Sequence, residues 1–424
     1  MKSPRLFLAR TLLPMVAPPL DDGALCVRAG RLVAVGRRRE LLREFPDAAV
    51  TDFGDAILLP PLINAHTHLE LTNFPDWATA AGETRAAANF VDWILKVVKV
   101  KRTLPREAYT TSLAEGIRRS LQTGTGAVGD ILSHFPARQA YAGSPLRGRI
   151  FLELLGRTRD RFEPLLSEAT RILGEVPPGH PAYGLSPHSP YTLDAEYLRQ
   201  SLDLGRQQSV PVMIHLAESA EESAFFRDLS GPLAQRFYPL AGWGNLLPPA
   251  AGVSPVAYLQ GLGGLHPGVL LVHGVQVDDS DIQLIARSGA RVVLCPHSNA
   301  RLDVGRAPLA KYLAAGLLPA LGSDSLASNS TLSIWDELAF ARSWFGDDAS
   351  PQQLLEMAIL GGSHALDLQG EMGALAVGWG AHFQALRPTS TPAMGEMYDY
   401  LCSGCGADLF QLYLDGQETL PSRN

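Results

Sequence analysis

The fold turns on residues 58–72, "LLPPLINAHTHLELT". An apolar run leads into His66 and His68, and Glu70 follows two residues later. Side chains two apart on a strand point to one face, so a strand here aims both imidazoles at one spot. An H-x-H triplet occurs by chance, however. It acquires meaning only if the rest of the chain brings partners to the same place.

Seven further apolar, strand-like runs follow: 124–133, 148–156, 182–192, 210–219, 269–276, 291–299 and 318–325. Amphipathic helical patterns, such as 194–209 and 278–289, lie between many of them. Strands alternating with helices in this number predict an α/β fold, a (β/α)8 TIM barrel spanning 59–370. The two ends of the chain read differently, as short, glycine-punctuated strands. Residues 1–58 and 371–424 are expected to meet in one small β-domain.

Polar and titratable residues sit at the C-terminal ends of the barrel runs: His66 and His68, Asp130, Glu153, His188, His215 and Glu218, His273, Asn299, Asp324. Active sites of such barrels are built at that end. His215 closes the fifth strand, and Asp324 closes the eighth, which neighbours the first once the barrel shuts. His66, His68, His215 and Asp324 are therefore the expected metal ligands. Three imidazoles and a carboxylate suit Zn²⁺, with Fe²⁺ or Mn²⁺ as alternatives. Glu218, three residues beyond His215, is placed to move protons between an attacking water and a leaving group. His273 is placed to align that water. Asp130 reads as a structural acid. Two long connections, 72–112 and 219–265, carry Trp77, Phe90, Trp93, Phe225, Phe226, Phe237, Tyr238 and Trp243. They read either as loops that lid the catalytic end or as extra helices packed on the barrel rim.

Bulk composition excludes other classes. The 424 residues are 46% hydrophobic and 19% charged, with a formal net charge of −7. The only basic blocks are "GRRRE" (36–40) and "KVVKVKR" (96–102), which argues against nucleic acid as a partner. Cys26, Cys295, Cys402 and Cys405 are too scattered for a disulfide framework, so the expected location is the cytoplasm. The N-terminus starts positive and turns apolar like a secretory leader, but Arg10, Pro14 and Pro18 interrupt it. No run approaches about 18 apolar residues, so no membrane span is expected. The C-x-x-C pair at 402–405 has no second pair and is weak evidence for zinc.

"HTH", "HLAE", "HG", "PHSN" and "GSDS", in that order, resemble the amidohydrolase superfamily. More narrowly, they resemble its cytosine, guanine and adenosine-type deaminases and triazine chlorohydrolases. "FLELLG", "SPHSPYT", "HLAES" and "SPVAYL" further resemble the aminodeoxyfutalosine deaminases. The resemblance implies a metal-dependent deaminase that releases ammonia from an aminopurine nucleoside-like small molecule. Glu218 would be the proton shuttle, and Asp324 would both touch the metal and accept the water's proton. The superfamily's bridging lysine of the fourth strand has no counterpart among Lys2, Lys96, Lys99, Lys101 and Lys311, so one ion is expected. By analogy His188 would contact the sugar or base. Glu70 and Glu153 are either substrate contacts or braces of the metal histidines. Asn299 holds the loop after strand seven or helps place substrate. Arg85, Arg157 and Arg301 are the arginines available for a substrate carboxylate. Relatives in the family often pair, which makes a homodimer the expectation. The family's C-terminal β-domain carries an aspartate where "GWGAHFQAL" has His382. Hydrolysis of a cyclic amide or of a triazine-like ring substituent is the alternative chemistry. A non-catalytic binding protein is the alternative class, although no ligand and no shuttle is missing.

Overall fold

The computed structural model describes residues 3–419. The outermost parts of the expected β-domain, 1–2 and 420–424, lie outside the described residues.

Two sheets organise the chain. The first collects strands from both ends: β1 (Arg5–Leu12), β2 (Leu20–Arg28), β3 (Arg31–Arg37), β4 (Ala49–Asp52) and β5 (Ile57–Leu59). The second is wholly parallel: β6 (Leu62–Thr67), β7 (Thr125–Leu132), β8 (Arg147–Leu154), β9 (Ala182–Pro187), β10 (Val212–Leu216), β11 (Val269–His273), β12 (Arg291–Leu294) and β13 (Ala320–Leu321). The chain then returns to the first sheet with β14 (Phe383–Leu386), β15 (Leu409–Leu414) and β16 (Gln417–Glu418). Neighbours in the second sheet follow chain order from β6 to β13. A parallel bridge between Thr67 and Asp324 brings its two edges together, so the sheet is the expected (β/α)8 barrel.

Its strands are legible because they are buried on both faces. All eight residues of β7 and all six of β6 are buried, which gives continuous apolar runs in place of alternation. The outer helices have ordinary punctuation. Helix Ala195–Gln208 begins at Asp194, whose side chain accepts from Glu196 N, and ends at Ser209 in a left-handed conformation. Helix Asp279–Ser288 begins with a capping box between Asp278 and Asp281 and ends at Gly289, φ 73°.

In the first sheet β14 pairs antiparallel with β5, which sews the C-terminal segment to the N-terminal one. Gln384 Nε2 donates to Pro60 O at 2.9 Å and ties that seam to the start of the barrel. His382 is buried here, and its Nδ1 accepts from Asp415 N at 3.2 Å. That leaves the proton on Nε2, which faces Glu371 and Asp415 carboxylates at 3.6 Å as a donor and not as a metal ligand.

Of the two readings of the aromatic-rich connections, the structure has extra helices. Residues 72–112 form helices Phe74–Ala80 and Phe90–Lys101 and the start of Arg106–Gln122. Residues 219–265 form helix Ala220–Asp228, a π-helical turn Leu233–Phe237 and helix Pro255–Gly261. Asp92 of the first segment pairs with Arg236 of the second at 2.7 Å. Cys402 and Cys405 are buried thiols that donate to Pro351 O and Leu401 O.

Gly322 sits at the barrel seam, where an added Cβ would meet His66 O at 2.8 Å and His66 Cβ at 2.9 Å. Gly322→Ala is expected to push β13 off β6 at a cost of about 1–3 kcal/mol. A thermal melt should show a lower midpoint; an unchanged midpoint contradicts the tight seam.

Candidate metal centre and active site

Four strand ends converge on one point. His66 is fully buried; its Nδ1 lies 3.2 Å from Met213 Sδ, and its Nε2 has no hydrogen-bond partner. Nδ1 therefore carries the proton and Nε2 presents a lone pair. His215 Nδ1 donates to His188 O at 2.7 Å, which likewise leaves a lone pair on Nε2. His68 Nε2 stands 3.4 Å from His215 Nε2. Asp324 Oδ1 is 3.5 Å from His66 Nε2 and 3.7 Å from His68 Nε2. Its other oxygen, Oδ2, accepts from Ser298 Oγ and Ser328 Oγ, both at 2.7 Å.

His66 and His215 thus both present Nε2 lone pairs at a centre that also holds an Asp324 carboxylate oxygen, and negative ends gathered in this way repel. A cation relieves that arrangement, and imidazole nitrogens with a carboxylate oxygen are ligands for Zn²⁺ or Fe²⁺. Electrostatics keeps the nitrogens available. Burial, then neighbouring histidines, push His68 and His215 well below the usual histidine range. Burial tends to raise Asp324, but the imidazoles gathered around it, His66 first and then His68 and His273, outweigh burial and hold its carboxyl well below the usual carboxylate range. Neutral imidazole and ionised carboxylate are the metal-binding forms.

His273 joins the same group: its ring lies close enough to His66 and His215 to share an ion with them. Its Nδ1 donates to Asn299 Oδ1 at 2.9 Å, so Nε2 faces inward, 3.5 Å from Glu218 Oε1. Burial pushes His273 down to about 4. Glu218 is buried and its Oε1 has no hydrogen-bond partner. Burial first, and then the Asp324 charge, push its carboxyl well above the usual range.

Three of these strands end on strained backbone. Ala217, His273 and Asp324 have φ of 52°, 77° and 56°, a left-handed region that non-glycine residues seldom adopt. Each turn redirects the chain just where a functional side chain must point into the barrel mouth.

A cavity of about 850 Å³ opens over this point, lined by His68, His188, His215, Glu218, His273 and Asp324. Its outer walls come from the two helical connections, through Trp93, Phe237 and Trp243. Trp77, Phe90, Phe225, Phe226 and Tyr238 do not line it. Glu153 does, and burial pushes its carboxyl up to about 7 against the opposing pull of Lys101.

Two expected substrate contacts are corrected. Glu70 is buried behind the cavity wall, with Oε2 accepting from Ser133 N and His134 N at 3.1 Å each. Its Oε1 takes the Ser133 hydroxyl and lies 3.6 Å from Lys101 Nζ. It neither reaches substrate space nor braces His66 or His68. Asn299 does not line the cavity either; it is spent on the ring of His273. Asp130 accepts from Leu69 N at 2.7 Å and Tyr141 OH at 2.8 Å, a brace beneath the site.

The arginine expectations also fall. Arg85 and Arg301 are exposed away from the cavity. Arg157 stacks on Tyr238, donates to Leu193 O at 2.6 Å and lines a separate cavity of about 510 Å³. The cations that do line the active cavity are Lys99, Lys101 and Arg102. Lys101 had a signal: Trp93, Val97 and Lys101 recur four apart on helix Phe90–Lys101, which places a lysine on the apolar stripe.

A model described as the Amidohydrolase family matches residues 57–398, and one described as an imidazolonepropionase-like composite domain of bacteria matches residues 23–48. An aminodeoxyfutalosine deaminase of Deinococcus radiodurans is 32% identical over 381 residues, covering 85% of each chain. A 5-methylthioadenosine/S-adenosylhomocysteine deaminase of Nitratidesulfovibrio vulgaris is 29% identical over 426 residues, covering 94% of this chain and 88% of its own. The crystal structure of an adenosine deaminase from Xanthomonas campestris with bound zinc superposes with a TM-score of 0.80 at 24% identity, covering 99% of this chain and 93% of that one.

His215→Ala deletes one lone pair from the centre. Metal analysis of purified protein should fall from about one ion per chain towards none. Full retention in this variant argues that His215 is not a ligand.

Proposed function

This chain belongs to the amidohydrolase family, and we propose that His66, His68, His215 and Asp324 hold one divalent ion with which it deaminates a nucleoside of the aminodeoxyfutalosine kind. The chain is a hydrolase of carbon–nitrogen bonds, acting on an adenosine-like small molecule. The single observation that carries the reading is Glu218. It is a buried carboxylate with a free oxygen, 3.5 Å from His273 Nε2 and beside the convergent lone pairs.

A divalent ion at this centre would acidify water and stabilise developing negative charge. Zinc is the ion we put first, as in the solved adenosine deaminase, with iron as the alternative. The residues of the chain do the rest. Glu218 takes a proton from the attacking water and delivers it to the ring nitrogen beside the amino-bearing carbon. The water oxygen bonds to that carbon. The proton left on the added hydroxyl then passes to the amino group, the carbon–nitrogen bond breaks, and ammonia leaves a 6-oxo ring. His273, with Nδ1–H fixed by Asn299, offers Nε2 to hold the water in line. Asp324 has only Oδ1 to give, since two serine hydroxyls occupy Oδ2. His188 and Glu153 line the cavity wall and would hold the nucleoside. We place the enzyme in the cytoplasm, acting on free metabolite as a homodimer.

A second reading keeps the chemistry and changes the substituent. Similarity to the methylthioadenosine/S-adenosylhomocysteine deaminase favours a thioether nucleoside in the same cavity. Ammonia release measured across aminodeoxyfutalosine, methylthioadenosine, S-adenosylhomocysteine and adenosine separates the two. Aminodeoxyfutalosine is expected to give the highest kcat/KM, and no ammonia from any of the four overturns the deaminase reading.

Glu218→Gln should keep its metal and lose about 10²–10⁴-fold in kcat, because the shuttle is gone and no ligand is. Normal turnover by this variant assigns the proton transfer elsewhere.

Glu153 supplies a pH signature. Burial raises it to about 7, so it is protonated below that pH and ionised above. As an acceptor for sugar hydroxyls it should lower KM as pH rises through about 7. Glu153→Gln should remove that inflection from the KM profile and leave the kcat profile in place; an unchanged KM profile excludes the contact.

A further inference from the structure

The proposed chemistry leaves Glu222, a buried acid four residues beyond the shuttle, without a part. Glu222 is 1% exposed and sits in the first turn of helix Ala220–Asp228. Ser219 caps that helix, its side chain accepting from Glu222 N at 3.2 Å. In an ordinary capping box the acid at this position reaches back to the backbone N–H of the cap residue itself. Here it reaches one residue further. Glu222 Oε2 accepts the backbone N–H of Glu218 at 2.8 Å.

That shift matters because of where Glu218 stands. Strand β10 ends at Leu216, and Ala217 follows in the left-handed region at φ 52°. The Ala217 carbonyl is pinned from the next strand's turn by Val275 N at 2.9 Å and Gln276 N at 2.8 Å. The backbone is thus fixed on both sides of one strained peptide, by the turn after β11 at Ala217 and by Glu222 at Glu218. The Glu218 side chain itself has no partner on Oε1 to hold it. Its aim towards His273 Nε2 is set by its backbone. Burial pushes Glu222 up to about 7, with the backbone N–H groups of Glu218 and Ala217 holding it down. Protonated or ionised, the acid keeps an oxygen for the Glu218 N–H.

We infer that Glu222 is a positioning residue: its carboxyl clamps the backbone of Glu218 and thereby aims the shuttle carboxylate at the reacting atoms. The inference rests on Glu218 being the proton shuttle. Substrate binding and the metal ligands do not pass through this clamp, so its loss should be felt in kcat.

The test uses the full chain, with metal content, melting temperature, KM and kcat measured on the nucleoside that the wild-type protein turns over best. Glu222→Leu removes the acceptor at similar size and should lower kcat about 10- to 100-fold with KM and metal content unchanged. Glu222→Gln keeps an amide oxygen for the Glu218 N–H and should restore kcat to within about threefold of wild type. Ser219→Ala removes only the helix cap and should lower the melting temperature without the kcat loss. Should Glu222→Leu fail to fold, Glu222→Asp, one methylene too short to reach, carries the same expectation. Equal kcat for wild type and Glu222→Leu (or Glu222→Asp) overturns the inference, as does a loss in Glu222→Gln as large as in Glu222→Leu. Wild-type turnover with unaffected variants removes only the clamp. Absence of wild-type turnover on any nucleoside removes the deaminase reading and the clamp with it.

Discussion

The barrel closes on side chains more than on a ladder, and the proposed metal centre depends on how it closes. Strand β13 contributes only Ala320 and Leu321 to the sheet. Beyond them the seam with β6 is made by Asp324 N donating to His66 O at 3.1 Å and Thr67 Oγ1 donating to Asp324 O at 2.9 Å. Asn64 and Ser323 complete it, the amide Nδ2 donating at 2.7 Å and Oδ1 accepting at 3.0 Å. The residues that shut the barrel are therefore the proposed ligands themselves or their immediate neighbours. Such a buried polar seam stabilises only when every member is paired, since a lone buried donor or acceptor costs about 1–3 kcal/mol. Folding correctly and assembling His66 beside Asp324 are one event.

The sequence made the frame readable for a physical reason. Strands buried on both faces leave uninterrupted apolar runs, and a polar residue ending such a run must have a partner. His66, His68, His215 and Asp324 stood out on that ground, and the structure brings all four together. The residues that were misread are those whose partners are far away along the chain. Glu70 is held by Ser133 and His134, and Asn299 by His273. No local spacing encodes such pairs. For 72–112 and 219–265 the aromatic residues left lid loops and rim helices both open, because composition does not say which rings face the cavity; Trp77, Phe90, Phe225, Phe226 and Tyr238 do not.

Strain is concentrated where the proposed chemistry is. Left-handed backbone at Ala217, His273 and Asp324 costs on the order of 1–3 kcal/mol at each position. It persists because the neighbouring hydrogen bonds over-determine it, as Val275 N, Gln276 N and the Glu222 carboxylate do around Ala217 and Glu218. Stability elsewhere in the apolar barrel offsets that local cost.

The helical covers obey a different economy. They meet each other through Asp92 and Arg236, while their contact with the barrel rim includes the Trp93 indole donating to Ala327 O at 3.0 Å. None of the four proposed ligands is carried by them. Selection can therefore rewrite the covers, and with them the range of molecules admitted, while the catalytic strands stay under separate constraint. A scaffold divided in this way can change diet over evolutionary time without relearning its chemistry.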